Sequence, residues 1–324
     1  MAEYYGQRAT AGLIIAEGTS PSPNGLGYPR MPGLFNAAHV AGWKQVTDIV
    51  HAKGGKIFVQ LMHTGRVTQV ANLPAGAEVL GPSADVCPGE MFTDSAGLQP
   101  HSTPRPMTEA DIQAAIQEYA KSAQLAIEAG FDGVELHAAN GYLIEQFLNA
   151  NVNQRTDGYG GSIEGRNRFA LEVARAVVAA IGANKVGVRL SPHGVLAGTG
   201  TYPDVDAQYI ALTQAFSSLQ LAYVHVLDHS AMGTPPVPET SKSALRAAFK
   251  GTFILAGGFD RNSAEAALRE GKADLIAFGR PFIANADWVA RMQTNAARND
   301  VDMSTLYTPG PKGYTDYPSL EFSQ

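Results

Sequence analysis

Short, almost uninterrupted apolar runs alternate along this chain with longer stretches of helical period. The runs fall near 13–16, 57–62, 133–137, 186–190, 223–227, 253–256 and 275–278. The helical stretches lie near 39–52, 108–129, 165–182, 205–219, 243–250, 261–270 and 287–297. Strands apolar on both faces, each followed by a helix, predict a parallel sheet covered by helices. Thr108 with Asp111 three residues on, and Asp260 ahead of the 261–270 stretch, are capping signals for two helix starts. Seven such units with no linker predict an α/β fold, a (β/α)8 TIM barrel occupying 1–324 as one domain. Residues 2–8 read as a helix feeding the first run. Closure therefore calls for one more strand, expected ahead of residue 1, so the barrel's first strand is taken to be missing from this chain. The tail after Ser319 (Leu-Glu-Phe-Ser-Gln) is too short to replace it. Segment 64–106, rich in Gly, Pro and Ser, is expected to form a long loop or insertion over the barrel mouth.

Alternation within the runs sorts the polar residues. Ile57, Val59 and Leu61 share one face and Phe58, Gln60 and Met62 the other; Val134 and Leu136 oppose Glu135 and His137; Val186, Val188 and Leu190 oppose Gly187 and Arg189. The branched faces suit the helices, which turns Gln60, His137 and Arg189 into the barrel, near the strand ends where barrel active sites gather. Alone, an inward Gln or Arg equally suits a core polar network. The stretch His137-Ala-Ala-Asn140-Gly-Tyr142 is harder to assign to packing. Its imidazole, carboxamide and phenol follow a strand end and can converge on one small acceptor. Two later runs end in Gly257-Gly258 and Gly279-Arg280. Backbone N–H groups at such glycines, with an arginine beside them, suit a phosphate, and the last two strands are where this fold places one.

Composition narrows the partners. A net charge of −6 with no basic run argues against nucleic acid. No apolar run reaches the roughly 18 residues of a membrane span, and the N-terminus lacks the pattern of a signal peptide. The single cysteine, Cys87, excludes an internal disulfide and is expected to be inert. The chain reads as cytoplasmic. No side chain here performs redox chemistry and no nucleophilic triad stands out; if the ligand carries a phosphate and a polar ring, a cofactor can supply the reactivity.

Long motifs then match one family. They are Gly12-Leu-Ile-Ile-Ala-Glu-Gly-Thr, Gly54-Gly-Lys-Ile-Phe-Val-Gln60-Leu-Met-His-Thr-Gly-Arg66, His137-Ala-Ala-Asn140-Gly-Tyr142-Leu, Asn153-Gln-Arg-Thr-Asp-Gly-Tyr-Gly-Gly161, Gly187-Val-Arg189-Leu-Ser-Pro192, Phe278-Gly-Arg280 and Gly313-Tyr314-Thr-Asp-Tyr-Pro318. The chain resembles the old yellow enzyme family of FMN-dependent ene-reductases, in the branch of N-ethylmaleimide and glycerol-trinitrate reductases. The resemblance implies FMN across the barrel mouth, its ring held by Gln60 and Arg189 beside Gly18. It places the phosphate at Gly257, Gly258, Gly279 and Arg280. His137 and Asn140 would bind the substrate oxygen, Tyr142 would donate the proton, and Tyr314 and Met62 would line the substrate space. Met62 stands where many relatives carry tryptophan. The implied reaction is a ping-pong, NADPH- or NADH-driven reduction of activated alkenes, with a small-molecule electrophile as partner and no metal.

Two other readings compete. His63, His137, His193, His225 and His229 lie at or near strand ends, as the ligands of a metal-dependent hydrolase would. A non-catalytic remnant of the fold would follow if the missing strand prevented flavin binding.

Overall fold

The computed structural model describes residues 1–320; the last four residues of the tail, 321–324, lie outside the described residues. Seven strands form one parallel sheet in chain order: β1 (Ile14–Thr19), β2 (Ile57–Leu61), β3 (Gly133–Ala138), β4 (Val186–Leu190), β5 (Tyr223–Leu227), β6 (Thr252–Ala256) and β7 (Leu275–Ala277). All seven coincide with predicted runs, because each is apolar on the face that meets the helices. The helices are α1 (Ala2–Gln7), α2 (Ala37–Ala52), α3 (Glu109–Glu128), α4 (Leu143–Leu148), α5 (Ile163–Ile181), α6 (Val205–Ser218), α7 (Glu239–Ala248), α8 (Arg261–Arg269), α9 (Arg280–Ala284) and α10 (Trp288–Thr294). Both predicted caps form as reciprocal boxes, Thr108 with Asp111 and Asp260 with Ser263.

The predicted faces hold. Ile57, Val59, Leu61, Val134, Leu136, Val186, Val188 and Leu190 belong to the main core shared with the helices. A separate inner cluster of Phe58, Tyr223 and Ile254, with Leu13 and Ile15 against it, plugs the barrel interior. Two glycines make room for this plug. A Cβ at Gly187 would stand 2.2 Å from the Tyr223 ring, and one at Gly133 would stand 2.5 Å from Phe58. Leu13, Ile15 and Ile254 of this cluster also line the cavity that holds Gln60 and Arg189.

The sheet is a (β/α)8-type wall of seven strands. Among the described residues β1 pairs only with β2 and β7 only with β6, leaving a seam between two strand edges. Part of that seam is bridged outside the sheet. Arg8, at the end of α1, is 2 % exposed, and its guanidinium donates to the carbonyls of Phe282 at 3.0 Å, Ile283 at 2.7 Å and Tyr314 at 3.1 Å. It also lies over the Tyr4 ring at 3.6 Å. α1 is thereby tied to α9 and to the C-terminal segment.

Segment 64–106 contains an antiparallel hairpin, Glu90–Thr93 with Gly97–Pro100, and a short parallel pairing of Leu80–Gly81 with Arg105–Pro106. Neither carries a readable alternation in the sequence. An Arg30–Asp94 ion pair ties the hairpin tip to the β1–α2 loop.

Candidate active site

One large cavity of about 2430 Å³ opens at the C-terminal ends of the strands. It exceeds the roughly 300–1,000 Å³ of an ordinary small-ligand pocket. Its walls run from the seam (Leu13, Ile15, Leu275) to the mouth, and Gly18, Gln60, Met62, Tyr142, Arg189, Gly279, Arg280 and Tyr314 are all on them. Of the residues that strand alternation turns inward, Gln60, Met62 and Arg189 line this space. His137, Asn140, Gly257 and Gly258 do not line it.

Its floor is a buried polar network. Gln60 Nε2 donates to Glu135 Oε1 at 2.7 Å, and His225 Nδ1 lies 2.9 Å from Glu135 Oε2. Burial opposes a charge on Glu135, but His225, Arg189 and Gln60 together hold its carboxyl well below the usual range. The groups facing the cavity are short of partners: Arg189 Nε and His225 Nε2 are buried with none. A buried polar atom left unmatched, here the Arg189 Nε–H donor and the His225 Nε2 acceptor, costs about 1–3 kcal/mol, so both are expected to meet a ligand. A flat heterocycle with acceptor and donor edges meets that need, and the amide of Gln60 and guanidinium of Arg189 fit an isoalloxazine ring.

Beside this floor stands the turn after β3. Asn140 has a left-handed backbone (φ 60°), which asparagine tolerates better than most residues. Ala139 N–H donates to His137 Nδ1 at 3.3 Å, so the ring presents Nε2–H as a donor. Burial, with Arg189 adding repulsion, pushes the His137 pKa down to about 3, which keeps the imidazole neutral. His229 Nε2 meets Asn140 Oδ1 at 2.8 Å, which turns Asn140 Nδ2 towards His137; the two nitrogens are 3.5 Å apart. An oxygen about 2.9 Å from both satisfies ordinary hydrogen-bond geometry.

Tyr142 packs edge-on against His137, with ring centroids 4.9 Å apart, and its hydroxyl is 3.0 Å from that of Tyr28. Burial and the neighbouring Tyr28 raise the Tyr142 pKa well above that of a free phenol, so it holds its proton. Sequence reasoning missed Tyr28 and Tyr307, both on the cavity wall. They lie in irregular segments, where no period marks a facing direction. Tyr314 lines the cavity as well, but its hydroxyl accepts from the Tyr307 backbone N–H at 2.7 Å.

The glycine ends of β6 and β7 differ in the room around them. Gly257 (φ 120°) and Gly258 (φ 71°) adopt conformations that favour glycine, and a Cβ on Gly257 would stand 2.0 Å from the Asp228 carbonyl oxygen. Nothing lies within 4 Å of a Cβ at Gly279.

The strand-end histidines are committed separately: His225 to Glu135, His229 to Asn140, and His193 to Asp206 at 2.9 Å. Among the described residues no three His, Cys, Asp or Glu side chains are grouped as metal ligands. Also among the described residues, no helix is long and apolar enough to cross a membrane.

Comparison with known proteins agrees with this geometry. The model of the NADH:flavin oxidoreductase / NADH oxidase family matches residues 1–299. 12-Oxophytodienoate reductase 7 of Oryza sativa subsp. japonica is 41% identical, covering 99% of this chain and 86% of its own length. Chanoclavine-I aldehyde reductase of Penicillium roqueforti (strain FM164) is 42% identical, covering 100% of this chain and 88% of its own. The solved structure of morphinone reductase superposes with a TM-score of 0.95 at 44% identity, over 98% of this chain and 87% of that one. Morphinone reductase has also been solved in complex with tetrahydroNAD, at TM-score 0.93 and 44% identity over 99% of this chain and 88% of that one. The chain belongs to the NADH:flavin oxidoreductase / NADH oxidase family, that of the old yellow enzymes, which are FMN-dependent, NAD(P)H-driven alkene reductases.

Proposed function

We propose that this chain binds FMN across the cavity and reduces activated C=C bonds of α,β-unsaturated carbonyls, maleimides and nitro compounds, with NADPH or NADH as reductant. The observation that carries this reading is the pairing of two neutral donors, 3.5 Å apart, with a protonated phenol beside the Gln60–Arg189 floor.

Gln60 and Arg189 hold the ring, with Gly18 beside it, and Gly257, Gly258, Gly279 and Arg280 take the phosphate. When bound, FMN would supply the redox chemistry, carrying reducing equivalents from NADPH or NADH to the alkene. His137 Nε2–H and Asn140 Nδ2–H hold the carbonyl or nitro oxygen. Because both donors are neutral and fixed before negative charge develops there, they stabilise it without reorganising. Tyr142 then gives its proton to the α-carbon as general acid, and the Tyr28 hydroxyl orients the phenol. Met62, Tyr307 and Tyr314 shape the substrate space. Segment 64–106 covers the mouth, with Cys87 and the hairpin residues Met91 and Phe92 on the cavity wall.

The acidic balance and the absence of a basic run favour small molecules over nucleic acid as partners, and a lone thiol suits a cytoplasmic setting. The visible spectrum of the purified chain tests the reading. Flavin absorption that bleaches anaerobically with NADPH or NADH is expected. A protein that retains no flavin absorption after incubation with FMN and removal of the unbound flavin would overturn it and favour the remnant.

A further inference from the structure

The turn that carries His137, Asn140 and Tyr142 is anchored by a group outside the cavity. Glu145, in the first turn of α4, is 1 % exposed. Gly141 N–H donates to its Oε2 at 2.5 Å, while the hydroxyls of Ser191 and Tyr209 donate to its Oε1 at 2.7 Å and 3.1 Å. Ser191 Oγ in turn accepts the Asn140 N–H at 2.9 Å. Both backbone N–H groups of the Asn140–Gly141 pair thus depend on this one carboxylate, directly or through one hydroxyl. Three donors are committed to the two carboxylate oxygens and a fourth to the Ser191 hydroxyl, so the arrangement is complete only while Glu145 is ionised. A proton on it would either face the Gly141 N–H and open that contact, or be given to the Ser191 or Tyr209 hydroxyl, whose own hydrogen would then lose its acceptor.

We propose that Glu145 is a positioning residue for the oxygen-holding turn, and that its ionisation sets the turn's grip on the substrate oxygen across neutral pH. The proposal rests on the substrate-binding reading above. Its titratable neighbours are the phenols of Tyr209 on α6 and Tyr202 just before it; among the described residues no salt bridge reaches it. Burial raises its pKa to about 7, against the pull of its donors. His137, pushed down to about 3, and Tyr142, pushed up, do not titrate in that window. The sign follows. Ionisation orders the turn as pH rises, yet costs fold stability, because the native state keeps a proton that the unfolded chain loses near 4.5. Grip and stability therefore move in opposite directions, which a merely structural contact would not produce.

The test uses the full FMN-loaded chain and cyclohex-2-enone, a probe with no charge to titrate. Affinity, read from the bound flavin's spectrum, should fall about tenfold from pH 8 to pH 6. Amide-exchange protection of Gly141, corrected for intrinsic rate, should fall with it. Glu145→Gln should flatten both profiles and remove the loss of stability on going from acid to neutral pH. Should that variant not fold, Tyr209→Phe removes one donor and should move the midpoint upward by about one pH unit. Profiles unchanged in Tyr209→Phe and in a folded Glu145→Gln, or a flat wild-type exchange profile, would overturn the proposal. If no probe binds at any pH while Gly141 protection still titrates, the substrate assignment fails and Glu145's hold on the turn stands.

Discussion

At the scale of single residues, the site divides its labour between groups that hold charge and one that gives a proton. Replacing both His137 and Asn140 by alanine should weaken binding of an enone or phenol about 10²-fold, with FMN retained, since neither residue belongs to the Gln60–Arg189 floor. A flavin titration alongside the ligand titration checks this; loss of flavin would show that the roles are misassigned. Tyr142→Phe should slow the alkene half-reaction about 10²–10⁴-fold and leave reduction by NADPH or NADH near its original rate, as stopped-flow absorbance can resolve. The inward-facing members of the site were legible because period-two alternation tells which side of a strand faces in. Glu145 was not: in sequence it is an acid in a first helical turn, and only the approach of Ser191 and Tyr209 from other segments buries it. Tyr28 and Tyr307 gave even less, since loops have no facing rule.

Among the elements, β1 and β7 are exceptional because each has one neighbour only. The strands between them were readable from their apolar character, and the seam from the count of seven. The Arg8 bridge was not, because its acceptors are backbone carbonyls 274 and more residues away. A buried guanidinium with three such acceptors and an aromatic cover holds α1 and α9 together across the seam. Arg8→Ala should cost about 2–4 kcal/mol, measured as a lowered urea midpoint with little change in slope. Arg8→Lys should recover little, because an ammonium lacks the planar fork.

For the whole molecule, buried ionisable groups set an acid limit. Burial lowers His63 to about 4 and His137 to about 3, so acid drives protons onto the unfolded chain first. Their contribution to stability is present above about pH 6.5 and lost as pH falls towards those values. Glu145 acts in the opposite sense between about 4.5 and 7. Two large histidine shifts outweigh one carboxylate, so the thermal midpoint should fall steadily below about pH 6. A midpoint that rises instead would show that these imidazoles are not neutral in the fold.

The contact between Gly141 N–H and Glu145 has a slower consequence. Asn140–Gly141 is a sequence prone to spontaneous ageing, in which the glycine nitrogen attacks the asparagine side-chain carbonyl, closes a succinimide and expels ammonia. Here that nitrogen's N–H is held by Glu145 and the backbone is fixed in a left-handed turn, which restrains the nitrogen from the side-chain carbonyl, so the native turn shields its own amide. Glu145→Ala should therefore shorten the enzyme's shelf life. On storage at neutral pH its Asn140 peptide should convert to aspartate and isoaspartate faster than in the parent, as peptide mapping by mass spectrometry would record. Each converted molecule would hold a carboxylate where the substrate oxygen needs a donor, and would be lost to turnover while still folded. Equal conversion in the two proteins would show that the turn offers no such shelter.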